Sequence, residues 1–407
     1  MTSSCNPGAA RWATKLLRRG LLPLILLPVF FLLGPAALRA SDHADPMALS
    51  DPDANITDLF FFPKDDQMIV IFNVRRALTA PKPYHLSAYD YVVHMDLTTP
   101  VIFDDQRPDH KGDRARYGGT IADADVKKIH DDVTITLHMN DDTTLKDKSF
   151  TGAIGLKNTD AIRIYTGVRD DPFIFPRFFK KNIVAMVLSI PKSAFPDGQQ
   201  DFILWGTTHK DGKQMDHVGR SNRTQQGRFN NLNFLPPSQH VAELDKLKKF
   251  WDDQYSFFNG FNELLPKSLA AVIQLNLQIR KYDLQPDVMI YSSRFPVGFP
   301  NGRILTDDVG AQTCATGDCV LQEISFIEGG WPRATKDDSP GDKGFLPDFP
   351  YLADPWPDSP EAPLPTISIW PYVIGLLVIF GIVSWMIIEV LRCLIRWLLI
   401  GRREATA

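Results

Sequence analysis

The sequence predicts a mainly β protein: an antiparallel, sandwich-like domain with a small helical insertion, followed by one C-terminal transmembrane helix. Three observations predict it. Short β-branched and aromatic runs, separated by turn clusters of Asp, Gly, Asn and Pro, fill the chain from Leu59 to Thr208. Regular helical spacing of apolar residues first occurs from Ser238 onward. An almost unbroken apolar run, Ile367 to Ile388, has the roughly twenty residues that a helix needs to cross a bilayer.

Residues 1–40 have the layout of a secretory signal. Lys15, Arg18 and Arg19 precede an apolar run from Gly20 to Gly34 and the small-residue end "PAALRA". Cleavage is expected after Ala40, with an uncleaved anchor as the alternative because Leu38 fills the minus-three position. Residues 41–331 then form the β-rich domain. Strands are expected at Gln67–Val74, Tyr89–Leu97, Val133–Met139, Ala161–Gly167, Asn182–Pro191 and Asp201–Thr208, with "LFFFP" before them. Alternation such as "TITLHM" suits an antiparallel sheet with one wet face. Ser238 is placed to cap a helix that carries Val241, Leu244, Leu247 and Trp251 on one side, and Ser268 to cap a second over Leu269–Ile279. Residues 332–366 are dense in Pro and Asp, which stiffen the chain and predict an extended spacer, with Phe345, Phe349, Tyr351 and Trp356 available to dock on the domain or on a partner.

The expected transmembrane helix covers residues 367–389. Arginines at 392, 396, 402 and 403 in the basic tail, 390–407, put the C-terminus in the cytoplasm by the positive-inside bias and the bulk of the chain in the periplasm or outside. The implied partners are the membrane, through a single-pass anchor, and a protein met by the stalk or anchor; Gly375, Gly381 and Ser384 suggest a helix–helix face. A formal charge of −4 over 407 residues, with scattered basic residues, gives no footprint for nucleic acid. Of four cysteines, Cys314 and Cys319 lie in the outer region, where an oxidising compartment favours a local disulfide; a redox pair or half of a metal site are the alternatives.

Catalytic motifs are missing: there is no nucleophile elbow, P-loop, dinucleotide fingerprint or paired-histidine zinc motif. "SDHADPMALSDPDANITDLFFF" carries Asp and Asn at alternating positions, as a calcium loop does. Ile56 stands where such a loop needs glycine and Phe62 where it needs glutamate, so an EF-hand is rejected. Asp-Asp pairs occur eight times, so most must be solvated turns. Two have richer surroundings. "GVRDDPFIF" sets Arg169 beside Asp170 and Asp171, and "GFPNGRILTDDV" sets Arg303 before Asp307 and Asp308; each is expected to clasp a loop to the core by Arg–carboxylate bonds, with a ligand site as the alternative.

Together "SDHADP", "DPDANITDLFFF", "GVRDDPFIF", "NIVAMVLSIPKSAF", "FILWGTT", "QMDHVGR", "LQPDVMIY" and "GFPNGRILTDDV" resemble, in their order, a family of exported bacterial proteins known only as a domain of unknown function, number four-three-three-one. The resemblance covers Ser41 to about Ile327 and implies one exported domain whose polar turns gather at one end. His43, Asp45, Asp58 and Asp307 are accordingly expected to form or border one site for a divalent cation or polar ligand. The expected function is a binding or interaction module facing the periplasm, with a metal-dependent envelope hydrolase and an accessory subunit of a membrane complex as alternatives.

Overall fold

A computed structural model of the 407-residue chain describes residues 52–78, 84–103, 119–121, 126–172, 180–220, 227–259, 285–309, 343–357, 377–378, 380–390 and 392. The strands among them are β1 (Ile56–Lys64), β2 (Gln67–Leu78), β3 (Asp90–Asp96), β4 (Val101–Phe103), β5 (Gly119–Ile121), β6 (Val133–Met139), β7 (Leu145–Thr151), β8 (Arg163–Asp170), β9 (Asn182–Pro191), β10 (Asp201–Lys210), β11 (Lys213–Val218) and β12 (Met289–Ser292). One antiparallel sheet runs β1-β2-β9-β8. The other runs β11-β10-β3-β6-β7, and β12 pairs with the first half of β10 where β11 has left it. The strands β4 and β5 pair with each other.

The two sheets share a core. Phe61, Val70, Phe72, Val184 and Met186 of the first meet Tyr91, Val93, Ile135, Leu137 and Leu204 of the second. At β6 the burial alternates strictly, as the sequence pattern requires of a sheet with one open face. For β1 and β9 it does not. Both are buried along nearly their whole length, because the outer face of their sheet is covered too. That cover includes residues 343–357: Tyr351 and Leu352 pack with Phe60, Ile69 and Ile71. The Pro/Asp-rich stretch is therefore not an extended spacer over these residues. Its aromatics contribute apolar area that outweighs the stiffness of its prolines, and polar bonds described below fix it.

A long helix, α1 (Pro237–Asn259), follows a 3-10 stretch, Gly227–Phe234. Proline at its first position is compatible with a helix start, where no intrahelical donor is needed. Leu244 packs on Phe229 and Leu232, and Val241 on the outer face of the second sheet around Trp205 and Ile290. The second expected helix, Leu269–Ile279, lies outside the described residues, as do Cys314 and Cys319.

The transmembrane expectation for residues 367–389 is corrected. Among the described residues no helix is long and apolar enough to cross a membrane. Helical geometry is described at 377–378, 380–390 and 392. Apolar composition alone suggested the span, and composition does not fix how many consecutive residues take helical geometry. These residues belong to a compact unit separate from the sheets.

Candidate functional site

The turns singled out from sequence form two clasps. Arg303 sits at the first. Its backbone pairs with Phe61 in both directions, at 3.0 and 3.2 Å, which brings the 301–307 loop onto β1. Its side chain is 4% exposed, lies 4.0 Å over the Phe60 ring, and sets Nη1 3.9 Å from Asp58 Oδ1. Burial pulls this guanidinium down to about 9, opposed by Asp307, and it stays charged at neutral pH. Asp307 Oδ2 accepts from the backbone amides of Phe299 (2.8 Å) and Ile304 (2.9 Å), while Asp58 Oδ2 accepts from Thr57 Oγ1 at 2.9 Å. Asp58 and Asp307 are thus brought to one arginine, and Asp308 follows, half-buried. His43 and Asp45 lie outside the described residues. Among the described residues, no group of three or more His, Cys, Asp or Glu is arranged to hold a metal ion.

The second clasp does not close on its own turn. Arg169 donates Nε to the Tyr165 hydroxyl at 2.8 Å and pairs with Asp354. Asp170 Oδ1 accepts from the Trp356 indole at 2.6 Å, and Asn182 exchanges two bonds with the Trp356 backbone. Asp171 is buried and donates its amide to the Lys181 carbonyl. The Arg-Asp-Asp turn holds residues 351–356 against the sheet edge.

Sequence reasoning missed the histidines. Of the nine in the chain, three line the outer face of the second sheet, because β3, β10 and β6 pair so that His94 stands opposite Trp205 and Asp90 stands between His209 and His138. Asp131 Oδ1 lies 2.9 Å from His94 Nδ1, His94 Nε2 lies 2.7 Å from Thr207 Oγ1, and Thr207 Oγ1 lies 2.9 Å from His209 Nε2. A carboxylate only accepts, so His94 Nδ1 donates to it. The His94 Nε2 lone pair then accepts from the Thr207 hydroxyl, whose oxygen accepts from His209 Nε2–H. The connectivity is that of a nucleophile, base and orienting acid. Thr207 is nevertheless 1% exposed in mid-strand and its oxygen is already engaged, so it has no path to a substrate. Alternating "DYVVH" and "WGTTH" were the signal, legible only once the strand register was known.

Beside this row lies a buried knot. His217 Nε2 donates to the Asp287 carbonyl at 2.7 Å, Asp287 Oδ1 accepts from the Arg220 amide at 2.8 Å, and the Asp287 amide donates to His240 Nδ1 at 3.1 Å. His240 Nε2 donates to the Leu235 carbonyl at 2.9 Å. His240, which accepts at Nδ1, is therefore neutral, and among the described residues His217 Nδ1 meets no partner. Burial pushes His217 below its ordinary value, with Asp287 opposing; burial and then His94 do the same to half-buried His209. Unfolded, these histidines bind a proton near pH 6.5; folded, they resist it. The unfolded chain then holds more protons, so stability should be fully present above about pH 6.5 and fall as pH drops toward 5. His130, raised by the Lys128 carbonyl and by Asp132, acts in the opposite sense but is largely exposed. A urea midpoint that stays constant or rises from pH 7 to pH 5 would contradict this.

At one end of the two sheets opens a cleft of about 460 Å³. Its floor is Met68, Phe195, Phe202 and Tyr291, with Phe195 and Phe202 in edge-to-face contact at 5.1 Å; Gln199 and Ser293 stand at its rim. Comparison of the chain with protein-family models, with curated proteins and with solved structures found no match.

Proposed function

We propose that residues 52–357 form the binding module of an exported protein, akin to the domain of unknown function the sequence resembles, and that the end cleft receives a small, largely apolar ligand or side chain. The cleft carries this reading. Its volume falls in the range of small-ligand sites, roughly 300–1,000 Å³, its floor is aromatic, and its lining holds no histidine or cysteine. Its two charged residues do not form an acid–base pair: Lys192 donates to the Asp65 carbonyl at 2.8 Å, and Asp197 is fully exposed beside Lys157. Binding is therefore favoured over catalysis. Export rests on the leader-like residues 1–40.

Anilinonaphthalene sulfonate titrated into the folded protein tests the cleft. Ser293 is exposed at the rim, so Ser293→Trp should fill the space without disturbing the core. The expected result is roughly tenfold weaker dye binding, about 1.4 kcal/mol, with unchanged far-UV circular dichroism. Equal dye affinity in both proteins would remove the cleft from consideration.

A further inference from the structure

We propose that Asp131, His94, Thr207 and His209 form a one-proton relay in which protonation of His94 switches the tautomer of His209 without charging it. Hydrogen-bond polarity carries the argument. In the neutral relay every donor is assigned: His94 Nδ1–H to Asp131, Thr207 Oγ1–H to His94 Nε2, and His209 Nε2–H to Thr207 Oγ1, over 2.9, 2.7 and 2.9 Å.

One added solvent proton binds the only His94 lone pair, at Nε2. That nitrogen becomes a donor, and the Thr207 hydroxyl must turn away from it. Among the described residues Thr207 Oγ1 bonds only the two imidazoles, so with His94 donating to it the hydroxyl proton is satisfied only by pointing at His209 Nε2, which then releases its own proton and accepts. His209 stays neutral by taking a solvent proton on Nδ1. The balance is one proton gained, all of it on His94, and the ring nitrogen of His209 remote from Thr207 changes from acceptor to donor. A binding partner at that nitrogen would see its hydrogen-bonding sense reversed by pH with no change of charge there.

Of the two rings, His94 has a carboxylate within hydrogen-bond distance. Its Nδ1 faces the Asp131 carboxylate, and its ring stacks on Trp205 at 5.1 Å and 4°, an arrangement that favours a cation over an aromatic face. A second proton on His209 would set two cations on one hydroxyl. The other groups bearing on the relay are Asp90 of β3 with His138 of β6 at 2.9 Å, and His217 of β11 with His240 of α1, their rings 4.9 Å apart. Burial lowers His209 further.

The test is nitrogen-15 NMR of the histidine rings in the full chain across pH 8 to 5. His209 should exchange its protonated nitrogen, Nε2 for Nδ1, at the pH where His94 becomes charged, while itself remaining neutral. In Thr207→Val the tautomer of His209 should no longer follow His94, and Thr207→Ser, which keeps the hydroxyl, should restore the coupling. A His209 that keeps Nε2–H through the titration of His94, or charges first, overturns the relay, as does unchanged coupling in Thr207→Val. Should Thr207→Val fail to fold, the wild-type and Thr207→Ser titrations still decide the matter.

Discussion

Replacing Arg303 with methionine is expected to destabilise the two-sheet domain by about 3–5 kcal/mol, the range for removing one partner from a buried ion pair. Methionine keeps much of the apolar volume over the Phe60 ring, so the loss isolates the charge. Asp307 would retain its two backbone donors. Asp58 would fare worse: it is buried, keeps the Thr57 hydroxyl at 2.9 Å and the long Asn73 amide contact at 3.4 Å, and loses the Arg303 guanidinium. The second half of the expectation follows from this asymmetry. Asp58→Asn should be costly alone and should recover stability when added to Arg303→Met, because it neutralises the stranded charge. Urea unfolding of the four proteins measures the cycle. A loss below about 1 kcal/mol for Arg303→Met, or a double variant less stable than the single, would mean that the guanidinium is a bystander.

The turn that carries Arg303 was legible in the sequence because its parts are local; the approach of its guanidinium to Asp58 of β1 was not. A turn signal, an arginine and an Asp pair within twelve residues must fold back on one another, and Asp58 lies in β1, the strand that the loop joins at Phe61. Strands β6 and β9 were legible to the residue because their composition and their burial agree. By contrast β7, "LKDKSFT", was missed: it is an edge strand whose charged residues face water, so it lacks an apolar period and guards the sheet edge instead. For residues 343–357 the docking of the aromatics on the domain was expected, but the extended spacer was not what formed, for a related reason. Their Pro and Asp content describes an extended chain, and nothing local says that Asp170, nearly two hundred residues earlier, waits for the Trp356 indole. The histidine row is the extreme case. His94 is separated from Thr207 and His209 by more than a hundred residues, and only the antiparallel register of β3 and β10 makes them neighbours.

The buried knot in "QMDHVGR" makes Gly219→Ala the second large effect, an expected loss of at least ~3 kcal/mol, beyond the 1–3 kcal/mol usual for overpacking. A Cβ on Gly219 would lie 2.2 Å from the Asp287 carbonyl oxygen, 2.4 Å from its carbon and 2.5 Å from Val288 Cα. All three are backbone atoms, so no rotamer change relieves the contact. The 286–288 segment must move. Moving it breaks bonds that converge on Asp287: the His217 ring to its carbonyl, the Arg220 amide to its carboxylate and its own amide to His240. Each leaves a buried polar group without its partner, at ~1–3 kcal/mol apiece. The same displacement strains β12, which begins at Met289 and pairs with Leu204 of β10. Loss of the knot should also expose His217 to water, so the fall in stability below about pH 6.5 should flatten in the variant. Guanidinium unfolding at pH 7.5 and pH 5.5 reads both effects. A variant as stable as the wild type, or equally destabilised with the acid slope intact, would show that the glycine is not what closes the knot.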